Sequence, residues 1–190
     1  MFRAALLIAT SLMLFGCTHF ASPRHSDIQP GATFVLQTPI EISAGHTRRF
    51  IQQGELTTRS GFDRGQQHCR LEVRELSEQT QIVAPERFEV TRVRYDSERI
   101  AQNMPVMLAS NLSIGIGLNF GTQFGLNNDA PPEIMELVEF RLHSDKQPNV
   151  MRLVCASSLS DGHPIDYPHN LRPNLKQIKL ILGELGYFEQ

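Results

Sequence analysis

The chain has 190 residues and a net charge of −2, from 18 basic and 20 acidic side chains. This near-neutral balance argues against a nucleic-acid partner, which would need a basic protein surface. The length fits one domain of ordinary size with room for a proper hydrophobic core.

Residues 1–16 have the three parts of a secretory signal peptide. A short basic start leads into an apolar run that ends at Phe15, and the small residue Gly16 stands before Cys17. The run is shorter than the roughly 20 residues that cross a bilayer as a helix. We therefore predict that residues 1–16 are removed. The alternative is an ordinary secreted protein that is cut near Gly16 or Ala21.

The end of this segment, Leu14–Cys17, resembles the lipobox of bacterial lipoproteins. In that class a diacylglycerol is joined to the cysteine thiol, the chain is cut before it, and the new amino group is acylated, commonly with palmitate. The resemblance implies that Cys17 is a lipidation site, and two or more acyl chains anchor a protein stably to a membrane. In enteric members of that class, an aspartate directly after the cysteine favours retention at the inner membrane. This chain has Thr18 there, so the resemblance implies a location on the periplasmic side of the outer membrane.

Residues 17–32 follow as a predicted lipidated terminus and flexible tether, since prolines, serines and histidines occur there without periodicity. A single β-rich domain is predicted over 33–190. With Cys17 taken by lipid, Cys69 and Cys155 form an even pair in an oxidising compartment, where a disulfide is expected. Each stands in an alternating segment that places it on an apolar face, so we predict a structural disulfide inside one core.

Strand patterns dominate this domain. The predicted strands cover 33–36, 39–42, 48–56, the segment around Cys69, 82–83, 88–95, 134–143 and 150–157. The second and third are predicted to pair as a hairpin, and the polar turn at 144–149 predicts another hairpin between the last two.

Only the tail has a helical pattern. Pro173 opens a predicted helix over 174–185, in which apolar residues recur at three and four positions, and Gly186 follows as a stop. The apolar stripe comprises Leu175, Ile178, Ile181, Leu182 and Leu185. The predicted fold is mainly β, an antiparallel sandwich or partly closed barrel with a C-terminal helix.

Arginine greatly outnumbers lysine, because only three of the 18 basic residues are lysine. Arg70 and Arg74 alternate around Glu72, and Arg92 and Arg94 repeat the spacing. A guanidinium-rich face would suit anionic sugars or phosphates. The sequence favours the alternative, an outer sheet face on which arginine pairs with glutamate across strands.

Residues 112–121 alternate large apolar residues with small ones, which gives an extended chain one apolar face and one nearly bare face. No lysine follows these glycines as a phosphate-binding loop requires. Two interpretations stay open: a tightly packed core strand, or a mobile hairpin that contacts a lipid or protein partner. In the second, the binding residues are Ile114, Ile116, Leu118 and Phe120.

The loop at 161–169 contains three residues of types that bind zinc, His163, Asp166 and His169. Neither helical nor strand spacing brings them together, so a surface loop is favoured and no metal or other cofactor is predicted. There is no Gly-x-Ser-x-Gly motif, and no catalytic constellation stands out.

Several segments together resemble a family of uncharacterised proteobacterial lipoproteins. They are His68–Cys69, Glu139–Leu142, Ser144–Pro148, Arg152–Cys155 and Leu185–Gly186. The resemblance implies an envelope protein and supplies no activity. We expect a lipid-anchored periplasmic protein that is a structural or binding module, with an envelope protein or a glycan as partner. The alternatives are a small envelope hydrolase and an inhibitor of a wall-degrading enzyme.

Overall fold

The computed structural model describes residues 28–100 and 132–189. This part contains ten strands and one α-helix, which lies before the last strand. They are β1 (Thr33–Leu36), β2 (Ile40–Ile42), β3 (Arg48–Gln52), β4 (Glu55–Thr57), β5 (His68–Val73), β6 (Gln81–Val83), β7 (Glu86–Ile100), β8 (Glu133–His143), β9 (Val150–Ala156), α1 (Leu175–Leu182) and β10 (Gly186–Glu189). In these two ranges, no helix is long and apolar enough to span a bilayer.

Eight strands form one antiparallel sheet in the order β10-β1-β7-β8-β9-β5-β3-β4, while β2 and β6 pair with each other in a small second sheet. The edge strands β10 and β4 do not pair, so the large sheet is a half-barrel. The predicted mainly β fold with a helix near the C-terminus is confirmed, in its partly closed form.

The predicted hairpin at 134–143 and 150–157 is confirmed as β8 and β9, which pair from Leu137↔Ala156 to Arg141↔Arg152. The predicted strand at 88–95 is longer than its pattern indicated. It extends through β7 to Ile100 and pairs with β8 along nearly its whole length. These three strands form the centre of the sheet.

The predicted hairpin between 39–42 and 48–56 is wrong. Strand β2 pairs with β6, and the segment 48–56 is itself a hairpin of β3 and β4. Gln53 and Gly54 both have positive φ, 55° and 80°, as the two central residues of a tight type I′ turn require. The other edge of β3 pairs with β5.

The helix is shorter than predicted. Asn174 caps its start: its side-chain oxygen accepts a hydrogen bond from the Gln177 N–H, and the Gln177 side-chain oxygen accepts one from the Asn174 N–H. It ends at Gly183, with φ of 56°, instead of continuing to Leu185. A side chain at Gly183 would place its Cβ 2.7 Å from the Gly54 Cα, so glycine allows the helix end to lie against the β3–β4 turn.

Gly186 is not a helix stop but the first residue of β10, which pairs with β1. A Cβ there would lie 2.6 Å from the Val35 carbonyl oxygen and 3.1 Å from the Phe34 ring. Its backbone is extended, so any residue could adopt the conformation, and only the close approach of the two strands requires glycine. The C-terminal strand thereby covers one edge of β1.

The hydrophobic core lies between the concave side of the sheet and α1. From the helix it receives Ile178, Ile181, Leu182 and, just beyond, Leu185, as the apolar stripe predicted. Ile28 is also fully buried in this core, and the backbone at residues 31 and 32 bonds to Val90. The packed part therefore includes residues of the segment predicted as a tether.

Candidate functional site

The predicted disulfide is confirmed. Cys69 on β5 and Cys155 on β9 lie directly opposite each other, with their sulfurs bonded at 2.04 Å and both side chains fully buried. The bond joins residues 86 positions apart in sequence. It ties the two halves of the described chain together in the middle of the core.

The opposite face of these strands carries a chain of alternating charges, which we call the ion-pair chain. Glu72 accepts a hydrogen bond from the Arg70 Nε at 2.7 Å and another from the Arg152 Nε at 2.8 Å. Arg70 continues to Glu98 at 3.0 Å, and Arg152 continues to Glu139 at 2.6 Å. Of the arginines named for cross-strand pairing with glutamate, Arg70 reaches Glu98. Arg74 donates instead to the Pro148 carbonyl, and Arg94 pairs with Asp96 on its own strand.

Glu72 is the central carboxylate of the ion-pair chain, and its side chain is only 6% exposed. Burial by itself would raise the pKa of this carboxyl group, but the hydrogen bonds from Arg152 and Arg70 outweigh that effect and hold the pKa below its usual value. Because Arg70 is also nearly buried, the two groups depend on each other for compensation of charge.

His68 begins β5 on this same face, packed against two aromatic rings. Its ring centroid lies 4.5 Å from that of Phe62 and 5.8 Å from that of Phe50. Within the described residues, neither imidazole nitrogen has a hydrogen-bond partner of acceptable geometry. Burial, assisted by the positive charge of Arg70, lowers the pKa of His68 to about 4, against weaker opposing effects of the Gln66 backbone and Glu98. The ring is neutral at neutral pH.

The burial of His68 predicts that the protein loses stability as the solution becomes acidic. The unfolded chain binds a proton at His68 near pH 6.5, whereas the folded chain binds it only near pH 4. The contribution of neutral His68 to the free energy of unfolding is therefore complete above pH 6.5 and is lost as the pH falls to about 4. The loss should be about 3 kcal/mol, since one pKa unit corresponds to about 1.4 kcal/mol. In urea unfolding of His68→Leu, the free energy of unfolding should change less with pH over this range than it does in the natural chain.

His169→Leu is the matched control for that experiment, because His169 is exposed. The free energy of unfolding of His169→Leu should change with pH as steeply as that of the natural chain. An equally steep loss of stability in His68→Leu and in the natural chain would contradict the assignment to His68.

The weak metal candidates are not brought together. His163 caps a short 3₁₀ turn through a hydrogen bond that its Nδ1 accepts from the Ile165 N–H, and Asp166 accepts one from the Ser160 hydroxyl. His169 contributes its backbone carbonyl to the Ser158 N–H. Across residues 28–100 and 132–189, no group of three potential ligands is placed to hold a metal ion.

Two other sets of predicted residues lie outside the described part of the chain. The first is Cys17, with the signal peptide and most of the tether. The second is the apolar set Ile114, Ile116, Leu118 and Phe120. The interpretations of these residues stay predictions.

A cavity of about 340 Å³ lies beside β3, at the end of the sheet where β4 stops. It is lined by Arg48, Arg49 and Arg59, together with His46 and several residues that carry hydroxyl groups. The remaining lining residues are Ser43, Gly45, Thr47, Phe50, Thr57, Thr58 and Leu76. We call this the arginine cavity. None of the described residues that line it carries a carboxylate.

No sequence motif singles out these arginines. Arg48 and Arg49 lie in a predicted strand, and Arg59 belongs to the loop that follows it. A local signal was nevertheless present. From Ile42 to Gly54 there is no acidic residue, and Leu56 to Phe62 is also free of them, although acids are as common as bases in the whole chain.

Comparison with known proteins adds no relative: neither family models, nor curated proteins, nor solved structures give a match.

Proposed function

We propose that this chain is a lipid-anchored domain of a bacterial cell envelope, held at the periplasmic side of the outer membrane, where it serves as a binding or structural module. The observation that carries the proposal is the buried disulfide between β5 and β9. Structural disulfides form and persist in oxidising compartments and are rare in the cytosol. An exported protein with a cysteine directly after a signal-like segment fits this pairing, because Cys17 is then left for lipid.

The binding role within this proposal is supported by the arginine cavity. A concave site with a few polar groups is the usual form of a ligand pocket. The partner would be an envelope protein or a glycan that presents negative charge to this end of the sheet. The ion-pair chain, in contrast, satisfies its own charges and serves the fold.

Membrane fractionation tests the anchor directly. We expect the natural chain in the membrane fraction, released by detergent but not by salt, and Cys17→Ser in the soluble fraction. The reason is that two or more acyl chains give stable attachment, whereas removal of the thiol blocks the first acylation. An unchanged distribution of Cys17→Ser would exclude the lipid anchor.

A matched variant tests the choice of membrane. In an enteric host, Thr18→Asp should keep the protein membrane-bound but shift it from the outer to the inner membrane on a density gradient. If the natural chain already sediments with the inner membrane, the proposed location is wrong while the anchor stands.

A further inference from the structure

The arginine cavity exists because β3 and β4 pair over only part of their length. Pairing runs from Gln52↔Glu55 to Phe50↔Thr57, so β4 leaves the sheet before it reaches the level of Arg48 and Arg49. The chain then enters a turn in which the Gly61 N–H donates to the Thr58 carbonyl. This departure leaves the β4 side of β3 open at its two arginines, and Arg59 lies on the turn that faces them across the cavity.

The charges of this cavity are not compensated by neighbouring side chains. Arg48, Arg49 and Arg59 form no ion pair with any described carboxylate, in contrast to Arg70 and Arg152 of the ion-pair chain. The carboxylate opposite Arg48 in strand register is Glu72, which already accepts hydrogen bonds from both arginines of that chain. Three arginine residues therefore line one concavity with no carboxylate partner among residues 28–100 and 132–189.

Arg49 supplies a second, independent observation. Its Nε lies buried and has no hydrogen-bond partner among the described residues. A buried N–H without an acceptor is unfavourable, and most such groups in folded proteins are paired with protein, water or ligand. Because solvent does not reach this atom, the Arg49 side chain would have to turn toward an anionic oxygen in the cavity to gain the missing acceptor.

We propose that the arginine cavity binds a phosphate group. A guanidinium offers a planar pair of donors that matches two oxygens of a phosphate, and three guanidiniums with adjacent hydroxyls match a tetrahedral dianion better than a planar, singly charged carboxylate. The phosphate belongs either to a soluble compound or to a lipid headgroup. This inference deepens the proposed binding role and rests on it, but it does not depend on the lipid anchor.

Calorimetric titration of the purified full chain, in non-ionic detergent micelles, with inorganic phosphate tests the proposal. We expect saturable binding that Arg59→Gln weakens about tenfold, with a similar or larger loss for Arg49→Gln. Arg59 is exposed on a turn, so its variant should fold normally even if the half-buried Arg49 does not tolerate replacement. Arg92→Gln is the matched control, since it removes the same charge from an exposed site on β7 and should bind as the natural chain does.

Micelles that contain phosphatidic acid or phosphatidylcholine distinguish the two sources. Competition by phosphatidic acid alone assigns the site to a lipid headgroup, and no competition by either assigns it to a soluble phosphate. Absence of phosphate binding, or binding that Arg59→Gln and Arg92→Gln reduce equally, would overturn the proposal. Fractionation of Cys17→Ser does not depend on this result, so failure of the anchor and failure of the phosphate site are separable.

Discussion

Joint replacement of Cys69 and Cys155 by alanine is expected to lower the free energy of unfolding by about 4 to 5 kcal/mol. The disulfide closes a loop whose ends are 86 residues apart, and in the chain-entropy description a cross-link of this length restricts the unfolded chain by about that amount. Both side chains are fully buried, so the replacement also removes two sulfur atoms from the core. Urea unfolding followed by circular dichroism measures the difference.

Two comparisons make this result specific. The natural chain, reduced while unfolded and then refolded in reductant, should lose most of the same free energy but stay somewhat more stable than the double alanine variant, because it keeps both sulfur atoms in the core. Cys17→Ser, which leaves the core pair intact, should unfold at the same urea concentration as the natural chain. If the double variant proves as stable as the natural chain, the bond has no structural role and the argument for an oxidising compartment loses its main support.

Glu72→Gln is expected to cost about 3 to 5 kcal/mol, the range found when one member of a buried ion pair is removed. The replacement keeps the shape of the side chain but leaves Arg70, with a side chain only 10% exposed, facing a neutral amide. Arg152 would keep Glu139 as a partner. The loss is therefore attributed mainly to Arg70, whose remaining partner Glu98 is 40% exposed and compensates its charge only weakly.

Glu98→Gln provides the matched control, since it removes the other carboxylate that contacts Arg70. Its side chain is 40% exposed, so its loss should cost about 1 kcal/mol or less, as for surface pairs. Equal effects of the two replacements would contradict the central place of Glu72 in the ion-pair chain.

Acid should reproduce part of the Glu72→Gln effect. Because the folded state holds the pKa of Glu72 below its usual value of 4.5, the ion-pair chain contributes its full stability above that pH and loses it as the pH falls further. This range begins near the lower end of the one assigned to His68, which runs from about 6.5 down to about 4. Unfolding measured from pH 7 downward should therefore show a first loss of stability in both proteins and a further loss below about pH 4.5 that is smaller in Glu72→Gln.

Local patterns predicted much of this fold because half-buried strands and amphipathic helices bury alternate residues at fixed periods. The Cys69 and Cys155 segments, the β8–β9 hairpin and the apolar stripe of α1 all follow such periods. The end of the helix does not follow such a period. It lies at Gly183 because the chain there contacts Gly54, which is far away in sequence. Strand β10 was missed for a similar reason, since its four residues gain stability only through pairing with β1.

The candidate site depends still more on tertiary structure. No sequence period places Arg59 beside Arg48, because their proximity follows from the point at which β4 leaves β3. Likewise, Glu98 reaches Arg70 although two strands of the sheet lie between β7 and β5. Composition indicated that arginines are abundant, but only the fold separates those that are paired from those that line a cavity.

A single measurement can test whether the chain is an exported domain with a lipid-modified Cys17 and a disulfide in its core. It is peptide mapping by mass spectrometry, without reductant, of the protein isolated from bacterial membranes. We predict a mature chain that begins at an acylated Cys17, together with a linked peptide pair containing Cys69 and Cys155. A chain that still begins at Met1, with an unmodified Cys17 and free thiols at the other two cysteines, would contradict the account.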